Sequence, residues 1–138
     1  MNPGTIRTAL QTRLKSINGL QVYRTWPNGP VNTPCAIIRR ARAEPEQTFG
    51  RGDLTKWAFE LYVFTTLAPG YQQAQDNIDR YIATSSTGGI YGAIHADRTL
   101  GGTVASTFVK GFSPDDQYDF GPDVVYQGFV AEVECWST

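Results

Sequence analysis

Histidine and cysteine are nearly missing from this chain of 138 residues, which holds only His95, Cys35 and Cys135. A site built on a histidine pair or a cysteine cluster is therefore excluded, and a catalytic His95 would depend on a nucleophile or carboxylate brought to it by the fold. The two cysteines fall in expected strands about a hundred residues apart, so buried thiols are expected rather than a disulfide or metal pair. No apolar run approaches the ~20 residues of a membrane span. The opening MNPGTIRTALQTRLK lacks the apolar core of a signal peptide, from which folding in a cytoplasm is expected. Neither a GxxxxGK[ST] loop nor a GxGxxG following a strand occurs, so the usual phosphate-cradling backbones are missing too.

What is present suits a single domain over residues 1–138, long enough to bury a core without staples. Net charge is −1, but it is unevenly placed. Residues 1–56 carry nine Lys or Arg against three acids, and residues 57–138 carry three against ten. Either these halves interleave and cancel in space, or they survive as two poles suited to contacts between unlike surfaces of neighbouring subunits.

Hydrophobic spacing predicts an N-terminal helix from Asn2 to Ile17, with Ile6, Ala9, Leu10, Leu14 and Ile17 on one stripe. Strands are expected over 20–26 (LQVYRTW), 35–43 (CAIIRRARA) and 55–66 (TKWAFELYVFTT). A second helix over 71–83 would bury Tyr71, Ala74, Ile78, Tyr81 and Ile82, and two closing strands are expected over 103–112 and 124–136. The result is an α+β domain, a mostly antiparallel sheet of about five strands with two to three helices on one face. The third strand puts Trp57, Phe59, Leu61 and Val63 towards those helices. Its other face carries Lys56, Glu60, Tyr62 and Phe64, which is too aromatic for plain solvent.

Three stretches invite chemistry. GGIYGAIHADRTLGG, residues 88–102, frames the histidine with glycine pairs, but Ile90 and Ile94 make it a short anchored helix between turns, with His95 off the apolar stripe as a solvated or capping residue. His95→Ala is accordingly expected to be nearly neutral. SPDDQYDFGPD, residues 113–123, echoes a calcium loop at Asp115, Gln117, Asp119 and Gly121, yet Tyr126 stands where the closing glutamate belongs, so an acidic solvated loop is expected. Arg39, Arg40 and Arg42 with Arg51 form a basic cluster, but alternation along a strand and a slightly acidic chain argue against a nucleic-acid site.

The order of these elements resembles the tail terminator proteins of long-tailed bacteriophages, in the form common among phages of actinobacteria. The likeness runs through the N-terminal helix, GLQVY, PCAII at 34–38, WAFELYVF, AQDNIDRYI at 74–82, IYGAIHADRTLGG and VVYQGFVAEVE. The resemblance implies a non-enzymatic ring, expected to hold six subunits, that caps the head-proximal end of the tail tube and stops its polymerisation. Its implied partners are further copies of itself, the tail tube protein and the head-tail connector, with genomic DNA passing through the lumen without specific binding. The implied location is the virion tail after assembly in the host cytoplasm, with no membrane and no cofactor.

No catalytic or metal residue is assigned. Candidate contacts with subunits or tube are Arg39, Arg40 and Arg42, the loop residues Phe49 and Arg51, and the strand aromatics Tyr62, Phe64 and Trp136. Rival readings are another neck component, such as a head-tail adaptor or tail completion protein, a small cone-shaped α+β enzyme enclosing a pocket, and a tail-tube subunit.

Overall fold

The computed structural model describes residues 2–17, 19–27, 33–45, 55–66, 71–83, 89–114, 116–119 and 125–137. Its elements are α1 (Pro3–Leu14), β1 (Gln21–Tyr23), β2 (Cys35–Glu44), β3 (Thr55–Thr66), α2 (Tyr71–Ile82), α3 (Ile90–His95), β4 (Ser106–Phe112), β5 (Asp116–Asp119) and β6 (Val125–Ser137). The fold is α+β, as expected, with one strand more than the pattern of the sequence shows.

Helix α1 starts where a side chain replaces a missing backbone partner: Asn2 Oδ1 accepts from the Gly4 N–H at 2.7 Å, and Pro3 takes the first helical position. Ile6, Leu10 and Leu14 are fully buried along its inner face. The chain then reverses through Gly19, whose φ of +82° suits a residue without a side chain. Gln11 Nε2 donates to the Val22 carbonyl at 3.1 Å and fixes α1 to β1.

The sheet runs β1-β2-β3-β6-β4, with β5 also paired to β6. Among the described residues only β1 with β2 is parallel, and the other pairings are antiparallel. One core unites α1, α2 and α3 with the sheet face of Ile38, Trp57, Phe59, Leu61, Val63, Phe129, Ala131 and Val133. The helices thus cover the face that alternation in β3 assigned to them. Within α2, Ala74, Ile78 and Tyr81 are fully buried, while the Tyr71 side chain lies outside the described residues.

Three boundaries differ from expectation. β1 is only three residues long, because Arg24 leaves the strand to reach the Gly4 carbonyl (3.4 Å) and Trp26 turns onto the rings of Tyr62 and Phe64. The stretch expected as a long acidic loop contains β5, whose Asp116, Gln117, Tyr118 and Asp119 pair with Gly128, Gln127, Tyr126 and Val125. β4 and β5 therefore continue each other along β6, joined where Ser113 N–H donates to the Val130 carbonyl and Val130 N–H donates to Ser113 Oγ, each at 2.8 Å.

The third difference is a pair of β-bulges. The register shifts between Arg40 and Arg42 in β2, and again between Val109 and Gly111 in β4. Arg40 and Val109 belong to one row of the sheet, Arg40–Phe59–Val133–Val109, so the strands on either side of the β3–β6 pair are bulged at the same level. Bulges bend a strand and sharpen its local twist.

Candidate assembly surface

Among the described residues no helix packs on the second face of the sheet, and this face divides into an aromatic end and a charged end. At the aromatic end, Cys35, Ile37 and Phe64 are fully buried beneath Tyr23, Tyr62, Tyr118 and Tyr126. Phe64 meets Tyr118 edge to face at a centroid distance of 5.0 Å, and Trp26 meets Tyr62 in the same manner at 5.3 Å. Trp26 remains 49% exposed, the one large hydrophobic residue so placed among those described. Burial pushes the Tyr62 phenol above its ordinary pKa, helped by its hydrogen bond to Glu60. Burial also raises Tyr118, with Asp116 and Tyr62 adding to the effect.

Above the bulged row lies the charged end, a shallow depression of about 410 Å³ lined by Arg42, Ala58, Glu60, Lys110, Glu132 and Glu134. Glu134, with only 8% of its side chain exposed, is held by Lys56 Nζ at 3.3 Å and Lys110 Nζ at 3.5 Å. Lys56 also reaches Glu44 at 3.6 Å, and Glu44 in turn meets Arg42 at 3.7 Å. The Lys56 ammonium further sits 5.7 Å from the centre of the Trp136 ring. Glu60 and Glu132 are direct neighbours across β3 and β6, an arrangement of like charges that is unfavourable unless something offsets it. Tyr62 Oη donates to Glu60 at 2.8 Å and accepts from Arg39 at 3.4 Å, which brings a cation to one side of that pair.

The bulge decides where the arginines go. Strict alternation would put Arg39 and Arg42 on opposite faces, but the register places Arg39 beside Glu60 and Arg42 beside Ala58, both on the second face. Arg40 sits beside Phe59 on the helix side and is exposed. Of the expected contact residues, Arg39, Arg42, Tyr62 and Trp136 thus share one face. Phe64 shares it as well but is fully buried, so it supports the surface from below. Phe49 and Arg51 lie outside the described residues. Trp26, Tyr118, Tyr126, Lys110 and Glu132 join this face without having been among the expected contacts.

Part of the charge imbalance cancels inside the fold, because Lys56 of the basic half binds Glu134 of the acidic half. Arg39, Arg42 and Glu132 keep exposed side chains on the second face.

The cysteines are separate: Cys35 belongs to the cluster of the second face and Cys135 to the core beneath the helices. Burial pushes their thiols up to about 12 and about 11. His95 is half-buried and bonds to a strand, its Nε2 accepting the Val109 N–H at 3.3 Å while its ring stacks on Tyr91 at 4.0 Å. Among the described residues no group of three or more His, Cys, Asp or Glu is placed to hold a metal ion, and no helix is long and apolar enough to cross a membrane. No protein-family model matches the chain, and neither does any curated protein.

Proposed function

We propose that this chain is a structural subunit of a phage neck, a tail terminator that assembles into a ring at the head-proximal end of the tail tube. The observation that carries this reading is the second sheet face, which combines an exposed tryptophan over an aromatic base with exposed charges of both signs and has no helix over it among the described residues. A surface of this kind fits contact between protein subunits, in which aromatic anchors supply binding and charge sets register. The prominent side chains of the depression are engaged with one another, Glu134 with two lysines and Glu60 with Tyr62, as in a structural network.

In this reading six copies close the ring, one side meets the tube and the other the head connector, and DNA passes through the hole without specific contacts. The same face would serve a head-tail adaptor equally well, and position within the virion separates the two. Negative-stain microscopy of the purified protein tests the proposal: closed rings with a central hole are expected, and particles of monomer size at all concentrations would overturn it.

A further inference from the structure

Among the described residues no strand pairs with the outer edge of β4, and this edge is occupied by side chains of its own chain. An edge strand presents backbone donors and acceptors to the outside, a template for pairing that a protein must blunt. Here Val109 N–H donates to His95 Nε2 at 3.3 Å, and the Thr107 carbonyl accepts from Arg98 Nε at 3.2 Å. Both side chains come from one short segment, the end of α3 and the turn after it. Tyr91, one turn earlier, stacks on the imidazole with its ring only 15° from parallel and fixes its orientation. At the opposite edge of the sheet, β1 has three residues and runs parallel to its neighbour.

We propose that His95 and Arg98 lock the free edge of β4, and that protonation of His95 opens it to antiparallel pairing with β4 of a second copy of this chain. Only the neutral imidazole can accept from Val109. A proton arriving at Nε2 makes that nitrogen a donor, so the ring can no longer receive the N–H. Burial opposes this proton, and the nearby Arg98 cation adds to the effect, so the His95 pKa lies below its ordinary value. Among the described residues, the other charged groups of the neighbouring elements are engaged elsewhere. Asp97 accepts from Thr99 Oγ1 and the Gly101 N–H and feels Arg13 of α1; Arg80 of α2 lies against its own neighbour Tyr81; Lys110 of β4 turns to Glu134.

The second copy is the fitting occupant because the two locked groups complement each other. An antiparallel pairing centred on Phe108 brings Val109 N–H of one copy to the second lone pair of the Thr107 carbonyl of the other, beside the bond from Arg98, and symmetry repeats the contact. The two Phe108 residues then face each other as a non-hydrogen-bonded pair, ~4.5 Å between Cα atoms. This separation is within reach of a disulfide.

Two measurements on the full chain test the proposal, and both read β4 itself, so their outcome is distinct from ring formation. The first is hydrogen exchange by mass spectrometry at pH ~7.5 and ~5, corrected for intrinsic rates and spanning the ordinary histidine pKa. Peptides over 106–112 should lose about threefold to tenfold protection in acid, the equivalent of one hydrogen bond. His95→Gln, whose amide oxygen accepts at either pH, should keep it. Equal loss in both proteins would overturn the lock. The second uses Phe108→Cys at pH ~7.5, where the native thiols are buried and protonated. Alone it should stay monomeric on non-reducing gels, and combined with His95→Ala it should form a covalent dimer. Equal cross-linking with and without His95, or none in the double variant while exchange shows β4 open, would overturn pairing through this edge. Should the double variant fail to fold, exchange in the wild type and His95→Gln still decides.

Discussion

The ring of Phe64 fills the space in which a side chain at Gly128 would stand. The two residues face each other across β3 and β6, and a Cβ on Gly128 would come within 2.7 Å of Phe64 Cδ1 and collide with the Val63 carbonyl oxygen as well. Glycine in a strand interior is ordinarily unfavourable, but here it admits the aromatic base of the second face. Gly128→Ala is expected to lower stability by about 1–3 kcal/mol through overpacking, read as a fall in melting temperature. A neutral result would show that the aromatic cluster yields easily.

Glu134 is the hub of the charged end. Replacing it with alanine leaves Lys56, itself mostly buried, without its shorter ion pair, and should cost about 2 kcal/mol in chemical denaturation, between the values for exposed and fully buried pairs. Lys110→Ala removes a partner that is 56% exposed and should cost less than about 1 kcal/mol. Equal costs would mean that the Lys110 pair accounts for all that Glu134 contributes and that the more buried pair with Lys56 adds nothing.

Cys35 and Cys135 should resist a thiol reagent at pH ~8 in the native protein and react fully once unfolded, because both thiols are buried and their pKa values lie well above that pH. No disulfide should form between them on oxidation, since they lie on opposite faces of the sheet. Fast labelling of the native protein at Cys35 would show that the aromatic end opens readily.

His95→Ala should cost about 1 kcal/mol, more than its position off the apolar stripe implies, because it removes both a hydrogen bond to β4 and a stacked ring. Since the folded-state pKa is lowered, the contribution of His95 is fully present above the unfolded value near 6.5 and is lost as pH falls through the folded value. A denaturation series should show the wild type losing this margin below pH ~6.5 and His95→Gln losing none of it. Identical pH profiles would remove His95 from the stability of the edge.

Local patterns made most of the fold legible. Alternating aromatic and aliphatic residues marked β3 from Thr55 to Thr66, and Asn2-Pro3 with the stripe Ile6, Leu10 and Leu14 marked α1. β5 was hidden because two of its four residues are aspartates, which disfavour strands, and its stability comes from β6 and from Tyr118 packing on Phe64. The bulges were hidden for a different reason: a register shift is a property of two strands and leaves no mark in either one alone. Hence Arg39 and Arg42 looked divided between two faces. The partner of His95 was hidden too, because a backbone N–H on a distant strand has no signature in sequence.

If the chain assembles through its second sheet face, Arg39 and Arg42 are the most accessible handles on that contact. Sedimentation velocity should find the wild type as a ring-sized oligomer that weakens modestly as salt rises, since exposed charges are screened over ~8 Å at physiological ionic strength. Arg39→Glu with Arg42→Glu should sediment as a monomer that still unfolds cooperatively, at a lowered melting temperature because the new acids stand beside Glu60 and Glu44. A wild type that stays monomeric at high concentration, or an oligomer unmoved by both salt and charge reversal, would rule out assembly through this face.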